Sequence, residues 1–334
     1  MARGRCCRHM LTVTDCHAGV MTPTPLFPLY SALVDQYALY LVPYYLDEEH
    51  NWSLDPKELQ RAIDEASPKA NVRVLVVINP GNPTGQVLKR KNIEDLIKFA
   101  YDHNLYIFAD EVYQFNVWAD DTKFYSFKKV LMDLGEPYSK SVELASFMTT
   151  SKGYMGECGM RGGWMELVNM DPGVKAHFFK CYSAILSPNT MGQLVVDCVC
   201  NPPKKGDPSY DLFEREKDVI LNNLKERAQF MQGAFSDIPG MHCQEVQGAM
   251  YAFPRVDMSQ KAIEAAKKAN QTPDEYYCWQ LLEATGVCVV PGSGFGQRPG
   301  THHFRTTILA KMDVLKNMMT TFKKFHINFN KKHA

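Results

Sequence analysis

No stretch of about 18 consecutive apolar residues occurs anywhere in the sequence, so a transmembrane helix is not expected. Charge of one sign does not accumulate either. The 37 Lys and Arg are matched by 37 Asp and Glu, which disfavours a general polyphosphate or nucleic-acid binder. There is no internal repeat and no low-complexity tract. With 45% apolar and 22% charged residues, collagen-like, coiled-coil and mostly disordered chains are excluded. The ten cysteines include no C-x-x-C pair, so a structural zinc site has no support and no metal is expected. Cys6 and Cys7 are adjacent, Cys198 and Cys200 are one residue apart, and Cys16, Cys158, Cys181, Cys243, Cys278 and Cys288 are scattered through apolar segments. Free, buried thiols in a reducing compartment are therefore expected. Arg3, Arg5 and Arg8 precede the first acid, Asp15, a short segment with some character of a mitochondrial transit sequence. An intracellular chain is expected, cytoplasmic or mitochondrial. Its 334 residues amount to about two domains, enough for a large core.

Strand and helix patterns alternate through the first two thirds. Ala38 to Tyr45 is an apolar, aromatic run. Asp55 is placed to cap a helix with Pro56 at its first position, running to about Glu65. Arg73 to Asn79 contains the continuous run Val-Leu-Val-Val-Ile, the pattern of a strand buried on both faces. A helix is predicted from about Arg90 to His103, with Ile93, Leu96, Ile97 and Ala100 on one face. Leu105 to Ala109, Glu143 to Phe147 and Trp164 to Val168 read as further strands. Such alternation predicts an α/β domain with a mostly parallel sheet and helices on both faces. Asn201 to Ser209 (N-P-P-K-K-G-D-P-S) is a breaker-rich connection. It divides the chain into residues 1–209 and 210–334. The second part is predicted as a long helix from Tyr210 to about Phe235 and a smaller α+β domain. Its expected strands are Ala249 to Phe253, Val287 to Val290 and Phe304 to Ile308, and its expected helices are Glu275 to Thr285 and Met312 to Phe325.

In open parallel sheets, ligands bind beyond the carboxyl ends of the strands, and three segments there carry unusual residues. Asn79 to Gly85, N-P-G-N-P-T-G, is a rigid turn that would hold the amide of Asn82 at the sheet edge. Phe108 to Gln114, F-A-D-E-V-Y-Q, ends a strand at Asp110. A carboxylate there wants a cation or a hydrogen-bond donor, and a protonated heterocyclic nitrogen would serve. Capping the next element is the competing role for Asp110. Tyr113 lies three residues on. Thr149 to Gly163, T-T-S-K-G-Y-M-G-E-C-G-M-R-G-G, surrounds Lys152 with hydroxyls, glycines and Arg161. That composition suits a phosphate cradle, and a lysine within it is a candidate Schiff-base former. Gly292 to Gln297, G-S-G-F-G-Q, opens no helix and so fails as a dinucleotide loop. Arg305, in the apolar strand H-F-R-T-T-I-L, presents a fork suited to a carboxylate, with a structural ion pair as the alternative.

Taken together, these strings resemble the class I pyridoxal-phosphate aminotransferases of fold type I. Within that class, N-P-G-N-P-T-G-Q-V, A-D-E-V-Y-Q, S-F-K-K-V-L, E-L-A-S-F, T-S-K-G-Y-M-G-E-C-G, V-Q-G-A-M-Y-A-F-P and V-V-P-G-S-G-F-G-Q are similar to the alanine aminotransferases, from about Met21 to the C-terminus. The resemblance implies pyridoxal 5′-phosphate as cofactor. Lys152 would be the lysine that condenses with it and moves the proton at the substrate's Cα. Asp110 would keep the pyridine nitrogen protonated, and Asn82 and Tyr113 would donate to the ring's phenolic oxygen. Phe27, in P-L-F-P-L-Y, would stack on the ring. Thr149, Ser151 and Arg161 would hold the phosphate, and Arg305 the substrate α-carboxylate. The implied reaction moves the amino group of L-alanine to 2-oxoglutarate by a ping-pong route. The implied assembly is a homodimer with active sites near the subunit interface.

Departures from the pattern come with the resemblance. Family members carry a long stretch ahead of the P-L-F-P-L-Y-S segment, where this sequence has some twenty residues. An N-terminally incomplete large domain is therefore expected, lacking a dimer arm and a helix start that binds phosphate. Ala18-Gly19 is a poor substitute for that helix start. Phe115 stands where the close relatives usually have an acid and His302 where they usually have tyrosine, and Ile185 and Ser187 stand where they have a more basic, cysteine-containing string. The alternative function is a catalytically weak or inactive truncated homologue, and another amino-acid preference is a third reading.

Overall fold

A computed structural model describes residues 18–334. Cys6, Cys7, Cys16 and the arginine-containing start lie outside the described residues. Strands β1 (Ala18–Thr24), β2 (Tyr40–Tyr45), β3 (Asn71–Ile78), β4 (Tyr106–Asp110), β5 (Leu144–Thr149) and β6 (Gly163–Val168) form one sheet in the order β2-β1-β3-β4-β5-β6. The first five are parallel and β6 is antiparallel to β5. This is the expected mostly parallel α/β architecture. Ala18-Gly19 is no version of a phosphate-binding turn but the buried start of β1, paired on both sides. A Cβ on Gly19 would lie 3.1 Å from the Val72 Cα and 3.3 Å from Val42 Cγ2, so neighbouring strands occupy the space a ligand would need.

Alternation within continuous apolar runs places side chains on both faces. Leu75, Val77, Ile107, Ala109 and Leu144 enter one core, covered by helices Pro56–Ala66, Arg90–Asp102 and Phe127–Leu134. Val74, Val76, Ile78, Phe108, Ala145 and Phe147 enter the opposite core, with Tyr30, Leu33 and Val34 of helix Leu29–Gln36 and Phe178 of helix Pro172–Ser183. Local signals place the helix ends. Asp55 accepts from the Lys57 N–H at 2.9 Å with Pro56 first in the helix, and Ile93, Leu96, Ile97 and Ala100 are the buried residues of the next helix.

A third core lies around helix Tyr210–Ser236, whose Leu224, Ala228, Met231 and Phe235 are buried. Helices Gln260–Lys268, Pro273–Thr285 and Met312–Lys332 pack there. So do short strands β7 (Met241–His242), β8 (Tyr251–Ala252), β9 (Arg255–Val256), β10 (Val290–Pro291) and β11 (Phe304–Thr307). The strands are shorter than their apolar runs suggest.

The seven described cysteines are free, but the expected burial holds only for Cys278. Cys158, Cys181, Cys198, Cys200 and Cys288 are exposed. Helices Pro172–Ser183 and Thr190–Cys200 bury only Phe178 and Gly192, so their cysteines stay at the surface with Phe179, Met191 and Leu194. Among the described residues, no helix is long and apolar enough to cross a membrane, and no cluster of three or more His, Cys, Asp or Glu can hold a metal.

Glu111, just past β4, ties the sheet to the start of a helix. Its carboxylate accepts from the Phe127 N–H at 2.7 Å and from the Ser146 hydroxyl. Burial pushes this carboxyl up to about 7, and the charge of Asp110 adds to the effect, against the two hydrogen bonds. A folded-state value above the unfolded one means that its stabilisation is present at low pH and lost as pH rises through about 7. Glu111→Gln keeps an acceptor for Phe127 and removes the ionisation. Relative to this variant, the parent chain should lose about 2 °C or more of thermal midpoint between pH 5 and pH 8. Thermal denaturation across that range measures the difference, and superimposable profiles would contradict it.

Candidate active site

Parallel strands end on a common edge, and the segments singled out in the sequence follow the carboxyl ends of β1, β3, β4 and β5. Phe27 follows β1, half-buried, between the strand and helix Leu29–Gln36. Next to it the Leu26 N–H donates to the Phe295 carbonyl at 2.6 Å. Asn79 and Asn82 follow β3. The turn closes on itself through Gly81 N–H to Gln86 C=O at 2.9 Å and Gly85 N–H to Gly81 C=O at 3.1 Å. A Cβ on Gly81 would stand 1.8 Å from Gln86 Oε1, so any larger residue there would have to displace the buried Gln86 side chain. Asn79 Oδ1 accepts from the Leu88 N–H at 2.9 Å, which holds the far end. Asn82 is left buried at the rim.

Asp110 is the last residue of β4, fully buried, in register with Ile78 of β3 and Phe147 of β5. The hydroxyl of Tyr30 donates to its Oδ2 at 3.1 Å. Tyr113 is also buried, and its hydroxyl donates to that of Tyr251 at 3.1 Å. Lys152, three residues beyond β5, holds its Nζ 5.5 Å from the centre of the Tyr113 ring. The amine and the phenol are thus neighbours.

The hydroxyl and guanidinium groups of the third segment are turned inward on their own loop. Thr149 Oγ1 donates to the Gly162 carbonyl at 3.0 Å and lies 3.2 Å from Ser151 Oγ. Thr150 donates to the same carbonyl at 3.2 Å. Arg161 is exposed, has left-handed backbone (φ 58°), and donates through Nη1 to the Cys158 carbonyl.

Arg305 on β11 comes to this edge from the third core. Its Nη1 donates to Asn82 Oδ1 at 3.1 Å, and its guanidinium lies 4.3 Å from the Tyr251 ring centre and 4.7 Å from that of Phe295. Its Nε is buried with no hydrogen-bond partner. A cationic fork between two aromatic faces, with a donor still to be satisfied, suits a planar acid. The hydrogen-bond acceptor found for it among the described residues is the amide of Asn82. Sequence reading missed Tyr30 and Tyr251. Both stand in strings it quoted, P-L-F-P-L-Y and V-Q-G-A-M-Y, but their partners are 80 and 138 residues away.

A buried carboxylate, an amine, an amide and a guanidinium thus gather at one sheet edge, and their chemistry suits a small anionic molecule that reacts with an amine. The family model for aminotransferases of class I and II matches residues 9–319. The chain is 54% identical over 311 residues to alanine aminotransferase 2 of Xenopus laevis, covering 93% of this chain and 58% of that protein. It is 48% identical over 312 residues to glutamate–glyoxylate aminotransferase 1 of Arabidopsis thaliana, covering 93% and 65%. It therefore spans about six tenths of the length of these curated relatives. The solved structure of an alanine aminotransferase from Pyrococcus furiosus superposes with a TM-score of 0.81 at 24% identity, covering 98% of this chain and 75% of that one. That likeness shows a shared fold, the fold type I architecture expected above. The family match and the identities together make this chain a member of the class I and II aminotransferases.

Proposed function

We propose that this chain transaminates, moving the amino group of L-alanine to 2-oxoglutarate to give pyruvate and L-glutamate with pyridoxal 5′-phosphate as cofactor. The observation that carries the reading is the meeting of Lys152 with Tyr113 and of Arg305 with Asn82 at the ends of β5, β4 and β3. The donor set fits the cofactor: an amine for its aldehyde, a buried acid for its ring nitrogen, and an amide and a phenol for its ring oxygen. When bound, pyridoxal phosphate supplies an aldehyde with which an amine condenses, releasing water, and a ring that draws electrons from the adjacent carbon.

In this reading Asp110 holds the proton of the ring nitrogen, and Tyr30 orients its carboxylate through Oδ2. Asn82 accepts from Arg305 through Oδ1, which leaves its Nδ2 as the donor to the ring oxygen. Tyr113 donates to the same oxygen once Tyr251 reverses their hydrogen bond. Phe27 stacks on the ring. Thr149, Ser151 and Arg161 hold the phosphate, which requires Arg161 to leave the Cys158 carbonyl. Lys152 takes the proton from the substrate's Cα and returns it on the far side of the transfer. Arg305 binds the α-carboxylate of amino acid and 2-oxo acid alike. No observation favours the inactive alternative, since every residue type that the chemistry needs is present.

The same reading divides the chain at 209/210, supported by the separate core around helix Tyr210–Ser236. It pairs two copies as a homodimer, supported by exposed Phe179, Leu186, Met191 and Leu194 on neighbouring segments. It puts the chain inside the cell, in cytoplasm or mitochondrion, supported by seven free cysteines among the described residues.

With added pyridoxal phosphate, the purified chain should develop visible cofactor absorbance and form pyruvate from alanine. Comparison of 2-oxoglutarate with glyoxylate as acceptor tests the preference, and a faster reaction with glyoxylate would overturn the assignment of the acceptor. Lys152→Ala should abolish the absorbance and lower turnover about 1000-fold, and retained turnover would sink the reading. Arg305→Lys cannot form two parallel hydrogen bonds to one carboxylate. It should raise KM for both substrates about tenfold or more while the cofactor absorbance persists. Steady-state kinetics with an unchanged KM would remove Arg305 from the carboxylate site.

A further inference from the structure

We infer that Asn116 is a positioning residue for Lys152, one that fixes the backbone immediately after the lysine and joins it to the segment bearing Tyr251. Asn116 is fully buried. Its Oδ1 accepts from the Gly153 N–H at 3.0 Å, and its Nδ2 donates to the Gly153 carbonyl at 3.4 Å. A side-chain amide pairing with both polar groups of one residue reproduces the two-way exchange of an antiparallel strand pair. Gly153 needs such a partner. Its φ of 71° lies in the left-handed region, and a Cβ would approach Phe115 Cδ2 and Met155 Sδ at 3.1 Å. The chain therefore turns sharply just after Lys152, in a backbone conformation that favours glycine, and leaves a buried N–H and C=O outside any ladder.

The backbone of Asn116 makes the second attachment. Its carbonyl accepts from the Ala249 N–H at 2.9 Å, and Trp118 Nε1 donates to the Ala249 carbonyl at 2.8 Å. Close approach here also demands glycine, because a Cβ on Gly248 would sit 2.7 Å from the Asn116 carbonyl. Two residues beyond Ala249, Tyr251 meets the Tyr113 hydroxyl and underlies Arg305. Asn116 thus stands between the amine end of the site and the guanidinium end, bonded to the backbone leading into each. Displacements of about 1 Å at a reacting group are costly, which gives this attachment its consequence.

The inference rests on the proposed role of Lys152, and the experiment separates the two. The full chain and its Asn116→Leu and Asn116→Asp variants are titrated with pyridoxal phosphate and then treated with borohydride at saturation. Peptide mass spectrometry reads the fraction of bound cofactor fixed to residue 152, and thermal midpoints are recorded without cofactor. Asn116→Leu removes both bonds to Gly153. It should raise the cofactor Kd about tenfold and lower the fixed fraction at least tenfold. Asn116→Asp keeps the acceptor for the Gly153 N–H, and should fold and fall between the two. A merely structural Asn116 would lower the thermal midpoints and leave the fixed fraction unchanged, and that result would overturn the inference. Failure of the parent chain to fix cofactor at residue 152 would instead sink the reading of Lys152, and this inference with it.

Discussion

Hydrogen bonding between parallel strands forces their carboxyl ends to one edge of the sheet, and the candidate site depends on that constraint. Ile78, Asp110 and Phe147 are matched across β3, β4 and β5. The segments that follow these strands therefore start side by side, although they are separated by 30 residues or more in sequence. A shift of one residue in any of these registers would turn the whole strand over and exchange its two buried faces. Cores on both sides of the sheet resist such a shift, so packing far from the site holds the spacing of the amide, the acid and the amine.

The remaining geometry comes from polar links between that edge and the core around helix Tyr210–Ser236. Arg305 reaches Asn82, Tyr251 meets Tyr113, Leu26 pairs with Phe295, and Trp118 pairs with Ala249. Glu48, just past β2, accepts from both Arg255 and His303. Each link is directional, so together they orient the guanidinium toward the sheet edge in a way apolar contact could not. Membership of the aminotransferase family accords with this construction, in which Arg305 on β11 reaches Asn82 at the edge of the sheet.

Legibility differed sharply among residues. Asp55 with Pro56 declared a helix start, because capping chemistry is local. The Val-rich run before Asn79 declared a strand buried on both faces, because its composition leaves no polar face. Strand β1 was hidden, since A-G-V-M-T-P-T holds a glycine and a proline and resembles a turn as much as a strand. Its pairing with both β2 and β3 overrides that weak propensity. The cysteines misled for a related reason. Their neighbours are apolar, but helices Pro172–Ser183 and Thr190–Cys200 touch the remainder along narrow stripes, and the apolar neighbours are themselves exposed.

Composition and motif by themselves determined the class of fold, the sheet edge where the unusual residues gather, and the identities of Lys152, Asp110, Asn82 and Arg305 as candidates. Those properties are written in local spacing and in residue types with few structural uses. The tertiary structure decided which side chains serve them: Tyr30 on Asp110, Tyr251 between Tyr113 and Arg305, and Asn116 on Gly153. Each of these contacts joins residues tens to more than a hundred positions apart, and in the sequence the two tyrosines pass as ordinary core and Asn116 as ordinary polar surface. Only the folded registers and close glycine approaches bring the partners within hydrogen-bonding distance.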